Sequence, residues 1–330
     1  MQRLIQDIRT QTFSKIYLLC GEEDYLRQQY KDNIVNALLP ERDSMNRSDY
    51  SGNKIPIKEV IDLAQTLPFL SERRVILIHE SGFFKDSVSD EFVDYMNQIP
   101  DSTYFVFSEK QVDKRSKLFK AVKKNGYVCE FEKQSQETLT KWVLGIIKRE
   151  GKQITNQGLD AFFDRVGNSM TMIQTELSKL LAYTLERNII EIQDVEAICV
   201  EQIQNRIFDM INHVAKRQQK EALKLYYDLL ALKEPPMKIL SLLTRQFHML
   251  YQVKRLRERG FDAKIIAKNI GVADFIVSKY IMQAQMFKAN ELRTAFEECV
   301  QAEEDIKTGK IPDLIAVELL LFERSQLTNV

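Results

Sequence analysis

The sequence predicts a multidomain protein in which a parallel-sheet α/β domain is followed by two all-α domains. Three observations support this prediction. Apolar strands alternate with helices as far as Phe131, only helical periodicity follows from Gln136 onwards, and the 330 residues include just 11 glycines and 7 prolines. Strands that alternate with helices form right-handed crossover units, which build a parallel sheet covered on both faces. A chain of this length can bury more than one core.

The first domain is predicted to contain five strands. A short apolar run such as IYLLC at 16–20 is typical of a strand buried on both faces of a parallel sheet. The strands are expected at residues 16–20, 46–50, 74–79, 103–108 and 127–131. The helices are expected at residues 1–12, 22–39, 57–67, 92–99 and 116–124. The run RVILIH at 74–79 is the clearest strand and 46–50 the weakest, and Pro40 is expected to end the helix that starts at Glu22.

Helices alone are predicted for the rest of the chain, since only helical periodicity is found there. In a small second domain they are expected at residues 138–150, 156–166, 172–186 and 192–200. The helices of a larger third domain carry apolar stripes, for example at Leu240, Leu243, Phe247 and Leu250, and later at Leu292, Phe296, Cys299 and Ile306. The predicted domains cover residues 1–136, 137–205 and 206–330.

The composition is that of an ordinary soluble globular protein, with 44% hydrophobic and 28% charged residues. A formal net charge of zero argues against a surface coated by nucleic acid, although it permits a local basic patch. The four cysteines form no CxxC pair, so they indicate neither a disulfide framework nor a zinc site and fit a reducing cytoplasm. No apolar stretch approaches the length of a membrane span, and the chain starts without a signal-peptide core, so we expect a cytoplasmic protein with no membrane contact.

Gly21 follows the first strand at the position where nucleotide-binding folds carry a phosphate-binding loop. Such a loop reads GxxxxGK[ST], because backbone N–H groups, a lysine and a hydroxyl hold the phosphates and magnesium. The sequence here is GEEDYL, with no second glycine, lysine or hydroxyl. Glu22, Glu23 and Asp24 stabilise the start of the next helix but repel a triphosphate. We therefore expect the layout of a nucleotide-binding domain without a nucleotide or any other cofactor.

No other catalytic or metal-binding motif is present. His79, His213 and His248 are isolated, and the sequence contains no HExxH, GxSxG or EF-hand pattern. These histidines are interpreted as structural. We therefore predict no catalytic residue, no metal site and no intrinsic catalysis.

Two large apolar residues, Phe69 and Leu70, stand at a corner between a helix, Pro68 and the strand at 74–79. Leu67 lies just before the proline. Adjacent apolar residues beside a strand are commonly core residues. Alternatively, the polar segment SERR that follows indicates exposure, and apolar anchors within a polar rim are typical of a protein-binding hot spot. Both interpretations remain open on these residues alone.

Five stretches, in order over nearly the whole chain, resemble the delta subunit family of the bacterial DNA polymerase III clamp loader. They are IYLLCGEEDYLRQQY (16–30), LPFLSERRVILI (67–78), TELSKLLAYT with IIEIQDVEAIC (175–199), EPPMKILSLLTRQFHMLYQVKRL with IAKNIGVADFIVSKY (234–280), and EEDIKTGKIPDLIAVELLLFE (303–323). The resemblance implies an ATPase-like domain of the AAA+ type that does not bind ATP, a helical lid domain and a helical collar domain. It also implies that the protein binds the beta sliding clamp and opens its ring for loading onto primed DNA.

The resemblance further implies partners and a binding site. The partners are the ATP-binding tau/gamma subunits and delta-prime, which assemble with this chain through their collars as part of the DNA polymerase III holoenzyme. The clamp-binding positions are Leu67, Phe69 and Leu70. Two features depart from the family pattern: Pro68 stands at a position that is usually polar, and Phe-Leu reverses the commoner order Leu-Phe.

A basic cluster formed by Lys254, Arg255, Arg257 and Arg259 ends a helix of the third domain. It is either a solvated helix terminus favoured by the helix dipole or a contact to the phosphates of primed DNA.

Two alternative functions are also considered. An ATP-hydrolysing loader subunit or helicase-like ATPase is disfavoured by the missing phosphate loop, and a purely structural collar protein would need only the helical domains.

Overall fold

The computed structural model describes residues 1–39, 44–85, 88–201, 203–272 and 276–325. The chain divides into two compact units, Met1–Gln134 and Ser135–Val330. The finer division of the second unit into a lid and a collar stays a prediction. Pro40, the expected end of a helix, lies outside the described residues.

The first unit is built on a five-stranded parallel sheet, as the sequence predicts. Its strands are β1 (Ile16–Cys20), β2 (Arg47–Ser51), β3 (Arg74–His79), β4 (Thr103–Glu109) and β5 (Tyr127–Glu130), in the order β2-β3-β4-β1-β5. The connection after β1 leads to β2 and the connection after β4 leads to β5, so the two run in opposite directions along the sheet. In this topology a ligand-binding crevice is expected at the carboxyl ends of β1 and β4. The turn at Gly21 lies at this place.

Helices cover both faces of the sheet. They are α1 (Gln2–Thr10), α2 (Asp24–Leu38), α3 (Ile57–Gln65), α4 (Asp90–Tyr95) and α5 (Lys117–Asn125). α1 and α2 pack on one face and α3, α4 and α5 on the other, each with its own apolar core. α4 begins earlier than predicted because the Ser89 hydroxyl caps it, accepting a hydrogen bond from the N–H of Phe92 at 3.4 Å.

The second unit is mainly helical. Its helices are α6 (Gln136–Arg149), α7 (Asn156–Val166), α8 (Met170–Tyr183), α9 (Ile192–Ile198), α10 (Ile203–Ala215), α11 (Gln219–Ala231), α12 (Pro236–Glu258), α13 (Ala263–Ile270), α14 (Val277–Gln285), α15 (Ala289–Lys307) and α16 (Asp313–Ser325). The predicted stripe of α12 is confirmed, because Leu240, Leu243, Phe247 and Leu250 are all buried. This stripe forms one core with the buried residues Leu292 and Cys299 of α15.

The expectation of helices alone in this unit is wrong at one place. Two strands of two residues each, β6 (Gln153–Ile154) and β7 (Ile189–Ile190), pair in parallel. Beside them, buried Lys152 donates from Nζ to the carbonyl oxygens of Thr184, Leu185 and Arg187, which follow α8. Strands this short have no measurable periodicity, so sequence patterns miss them.

Candidate functional site

The tip loop, residues 66–73, connects α3 to β3. α3 ends at Gln65, two residues earlier than predicted, because the residue before a proline is disfavoured in helical conformation and Leu67 precedes Pro68. Thr66 closes the helix: its N–H and its hydroxyl both donate to the carbonyl oxygen of Leu63, at 3.1 and 2.7 Å. The chain therefore leaves the helix abruptly and turns outward before it enters the sheet.

The tip loop places three large apolar side chains in solvent. The exposed fraction is 84% for Leu67, 58% for Phe69 and 92% for Leu70. The interpretation of Phe69 and Leu70 as core residues is therefore wrong. Glu72 is also exposed, and Arg73 is half-buried against the ring of Phe13 at 5.0 Å. Apolar side chains within a polar rim have the character of a protein-binding surface.

The backbone of the tip loop is held by two buried polar side chains. The Asn46 carboxamide accepts a hydrogen bond from the N–H of Phe69 at 2.7 Å and donates one to the carbonyl oxygen of the same residue at 2.8 Å. Arg74 donates from Nη2 to the carbonyl oxygen of Leu67 at 3.0 Å. Asn46 also accepts from the N–H of Val75 through its own carbonyl group. The loop is thus tied to the residue that precedes β2 and to the first residue of β3.

Leu70 has a left-handed backbone, with φ of 49°. This conformation is unfavourable for a bulky residue and costs about 1–3 kcal/mol, so it persists only where the surroundings enforce it. The hydrogen bonds of Asn46 and Arg74 supply that constraint on the preceding residues. Because the loop is already ordered, a partner that binds it does not bear the entropy of ordering it.

Sequence reasoning missed Asn46 and Arg74 as supports of the tip loop. The sequence predicts Asn46 as the first residue of a strand, whereas β2 begins one residue later and the Asn46 side chain bonds Phe69. The contact joins residues 23 positions apart, which no local pattern reveals. An arginine heading the apolar run RVILIH was the one available sign, since a buried arginine needs hydrogen-bond acceptors.

The turn after β1 is closed by main-chain hydrogen bonds. The N–H of Gly21 donates to the carbonyl oxygen of Glu109 at 3.3 Å, and the N–H of Glu23 donates to that of Phe131 at 3.0 Å. In a phosphate-binding loop, the corresponding N–H groups point at the ligand. Gly21 has φ of 120°, and a Cβ atom there would stand 2.2 Å from the Phe131 carbonyl oxygen. The turn is therefore pressed against the segment that follows β5.

A buried arginine fills the inner side of this turn. Arg27, 3% exposed, donates to the carbonyl oxygen of Gly21 at 2.9 Å and to the carboxylates of Asp24 and Glu80 at 2.7 and 3.0 Å. Glu80 directly follows β3. The positive charge of Arg27 next to the turn is thus already paired with Asp24 and Glu80.

The Glu109 carboxylate, at the end of β4 beside the turn, is also satisfied within the protein. The Glu109 carboxylate accepts hydrogen bonds from the N–H and the hydroxyl of Ser81, at 2.8 and 2.5 Å. Burial raises the pKa of the Glu109 carboxyl. Burial also raises the pKa of the Glu23 carboxyl. The adjoining crevice, about 730 Å³, is lined by both signs of charge, including the ion pair of Lys114 with Glu130 at 2.7 Å. The crevice is therefore lined by side chains of both charge signs.

The basic cluster lies at the end of α12 in the second unit. Arg255 pairs with Glu258 at 2.9 Å, and Arg257 donates to the carbonyl oxygen of Phe261 at 3.5 Å. Lys254 is half-buried, and Arg259, which directly follows the helix, is exposed. The four cations lie within six residues of the chain, and two of them, Arg255 and Arg257, are engaged by neighbouring residues.

Among the described residues, no group of three or more histidine, cysteine or acidic side chains is arranged to hold a metal ion. None of the helices in the described ranges is long and apolar enough to cross a membrane.

Comparison with known proteins points to one family. Residues 17–132 match a family model described as DNA polymerase III, delta subunit, and residues 204–324 match a model of the C-terminal domain of the same family. The chain is 29% identical over 319 residues to the DNA polymerase III subunit delta of Bacillus subtilis, covering 93% of this chain and 92% of that protein. It is 22% identical over 279 residues to the probable DNA polymerase III subunit delta of Aquifex aeolicus, covering 81% and 78%.

A solved structure supports the same relationship. The Bacillus subtilis DNA clamp loader delta protein superposes with a TM-score of 0.69 at 27% identity, covering 98% of this chain and 99% of that one. The match extends over both units of the chain. It confirms the fold predicted from the sequence, a parallel-sheet α/β domain followed by helical regions.

Proposed function

Because this chain belongs to the delta subunit family of DNA polymerase III, a component of the clamp loader, we propose that it binds the beta sliding clamp and opens its ring. The observation that carries the proposal is the exposure of Leu67, Phe69 and Leu70 on a loop whose backbone is fixed. Exposure of three large apolar side chains, one of them on a residue with left-handed backbone, does not stabilise the folded chain itself. A partner that covers them explains the arrangement.

In this proposal the three side chains enter an apolar pocket on the clamp. Full burial of a side chain of this size contributes about 1.5–3 kcal/mol. Binding opens the ring if the pocket fits the tip loop better when one clamp interface is open, since a ligand shifts an equilibrium only by its differential affinity for the two states. The opened clamp is then placed around primed DNA.

Pro68 and the order Phe-Leu set how the side chains enter the pocket. Pro68 fixes its own φ near −65° and keeps the preceding residue extended. Leu70, in left-handed conformation, projects differently from a residue in extended backbone. We propose that the pair enters the pocket at an angle of its own, with Leu70, the more exposed, as the leading side chain.

We further propose that the protein works without ATP and has no catalytic activity of its own. The N–H groups of Gly21 and Glu23, in the turn after β1, already donate to main-chain carbonyl oxygens, and Arg27 donates to the carbonyl oxygen of Gly21. Nucleotide control then comes from ATP-binding tau/gamma subunits, with delta-prime as a further neighbour. An ATP-hydrolysing loader subunit or helicase-like ATPase, the alternative, would need that turn rebuilt.

Assembly with the other components of the clamp loader is proposed to use the collar, residues 206–330. α16 offers a suitable surface, because its outer side is apolar as well as its buried side. Its exposed apolar residues are Leu314, Ile315, Leu319 and Phe322. In the assembled loader, Lys254, Arg255, Arg257 and Arg259 are proposed to contact DNA phosphates, with Lys254 and Arg259 contributing more because Arg255 and Arg257 are engaged locally.

The test is a calorimetric titration of the chain with purified beta clamp and, separately, with magnesium ATP. We expect saturable clamp binding without nucleotide, with a negative heat-capacity change because apolar surface is buried. We expect no saturable heat with ATP. Clamp binding that requires ATP, or tight ATP binding by the isolated chain, would favour the ATPase alternative. Failure to bind the clamp in either condition would favour a purely structural collar protein.

A further inference from the structure

We infer that the clamp-binding surface has a second segment, in which Met45 contacts the clamp beside the tip loop and Asn46 joins the two segments. This inference rests on the proposed function and adds to it a contact residue and a positioning residue. Neither belongs to the sequence stretch that resembles the family's clamp-binding element, which begins at Leu67.

Met45 is one of the most exposed apolar side chains of the first unit. Among the described residues of the unit Met1–Gln134, six large apolar side chains are exposed, and they are not equally so. The four with the largest exposed fractions are Leu70 at 92%, Leu67 at 84%, Met45 at 70% and Phe69 at 58%. Three of these four form the tip loop. Met45 is the remaining one, and it lies far from the others in sequence.

Met45 lies next to the residue that attaches the tip loop to the sheet. Met45 directly precedes Asn46, and consecutive Cα atoms are about 3.8 Å apart. The Asn46 side chain holds both backbone groups of Phe69, and its carbonyl oxygen accepts from the N–H of Val75 at 2.8 Å. Met45 is therefore fixed at the point where the tip loop is attached to the sheet. Met45 therefore offers an apolar side chain next to the attachment of the tip loop.

The chemistry of the Met45 side chain suits a contact with another protein. Methionine is unbranched and polarisable, so it adapts to an irregular apolar surface better than a branched side chain. The neighbouring residues on β2 provide a polar border, since exposed Arg47 pairs with Asp49 at 2.8 Å. An apolar side chain with a charged border beside the tip loop repeats the pattern of the loop itself. The same occupant, the beta clamp, fits both.

Asn46 acts in this surface as a positioning residue. Asp in its place would keep an acceptor for the N–H of Phe69 and lose the donor to its carbonyl oxygen, whereas Leu would lose both. The tip loop of the Leu variant would keep every apolar side chain but not their fixed geometry. Clamp affinity should then fall in the order wild type, Asn46→Asp, Asn46→Leu.

The experiment compares clamp affinity of full-length variants by titration with purified beta clamp. Met45→Ala is expected to weaken binding about tenfold, the effect of losing roughly one well-buried apolar contact. Met45→Leu is expected to retain most of the affinity. Met282→Ala is the matched control, because Met282 is 60% exposed but lies in the second unit, and it is expected to bind like wild type.

The outcomes separate this inference from the proposed function. If Leu70→Ala weakens binding while Met45→Ala binds like wild type, the second segment is wrong and the tip loop stands. If neither variant changes the affinity of a folded chain, the proposed clamp contact itself is wrong. If Met45→Ala and Met282→Ala weaken binding equally, the effect is not local, and the inference also fails.

Discussion

Replacement of both Phe69 and Leu70 by alanine is expected to weaken binding of the beta clamp about a thousandfold. Truncating an apolar hot-spot residue costs at least about 2 kcal/mol, and two such losses sum to about 4 kcal/mol, or roughly three powers of ten in Kd. Each single variant should lose about thirtyfold. The measurement is the Kd for purified clamp, by titration or surface plasmon resonance.

The double variant should fold as stably as the wild type, because both side chains are largely in solvent. Surface substitutions usually change the free energy of unfolding by less than about 0.5 kcal/mol. Ile5→Ala is the matched control, since Ile5 is 53% exposed on α1 of the same unit and lies outside the proposed surface. A folded double variant that binds the clamp like wild type would show that Phe69 and Leu70 do not contribute to clamp binding.

Gly21→Ala is expected to destabilise the first unit by about 2–6 kcal/mol. The added Cβ would stand 2.2 Å from the Phe131 carbonyl oxygen, and φ is 120°. Overpacking costs typically about 1–3 kcal/mol, and a conformation reserved for glycine costs about 1–3 kcal/mol more. Urea unfolding followed by circular dichroism measures the loss.

Gly52→Ala separates packing from backbone strain. Gly52 belongs to the same unit and has φ of 79°, but no heavy atom lies within 4 Å of a Cβ placed there. It should lose only about 1–2 kcal/mol, the penalty of a left-handed backbone. Equal losses at Gly21 and Gly52 would mean that the turn after β1 is loosely packed. The argument that this turn is closed to phosphate would then fail.

The parallel sheet could be predicted from sequence because its inner strands contain uninterrupted apolar runs. β1 and β3 are buried on both faces, and the runs IYLLC and RVILIH identify them without other information. β2, with the sequence RSDYS, is polar and alternates between exposed and half-buried residues because it lies at the edge of the sheet. Its sequence signal is correspondingly weak, and the predicted strand begins one residue too early.

The supports of the candidate site could not be predicted, because they join residues that are distant in sequence. Asn46 bonds Phe69 across 23 positions, and Arg27 bonds Glu80 across 53. Neither partner is identified by periodicity or by a motif. The left-handed backbone of Leu70 is likewise invisible in sequence, since turn statistics favour glycine or asparagine there and give leucine no such role.

The exposure of the tip residues lies between these cases. Residue chemistry alone left Phe69 and Leu70 open between core and surface, because an apolar pair next to a strand suits both. The polar segment after them and the resemblance to the delta subunit family favoured the surface. The missing lysine and hydroxyl after Gly21 indicated a turn unsuited to phosphate, but the hydrogen bonds that close it required coordinates.

The central claim is that this chain opens the clamp through the tip loop without nucleotide. The most direct measurement uses a beta clamp labelled with a donor and an acceptor fluorophore on the two sides of one of its interfaces. Titration with the wild-type chain in the absence of ATP should lower energy transfer saturably, and the chain carrying Phe69→Ala and Leu70→Ala should leave it unchanged at the same concentrations. An equal loss of energy transfer with both chains, or no loss when wild-type binding is saturated, would contradict the account.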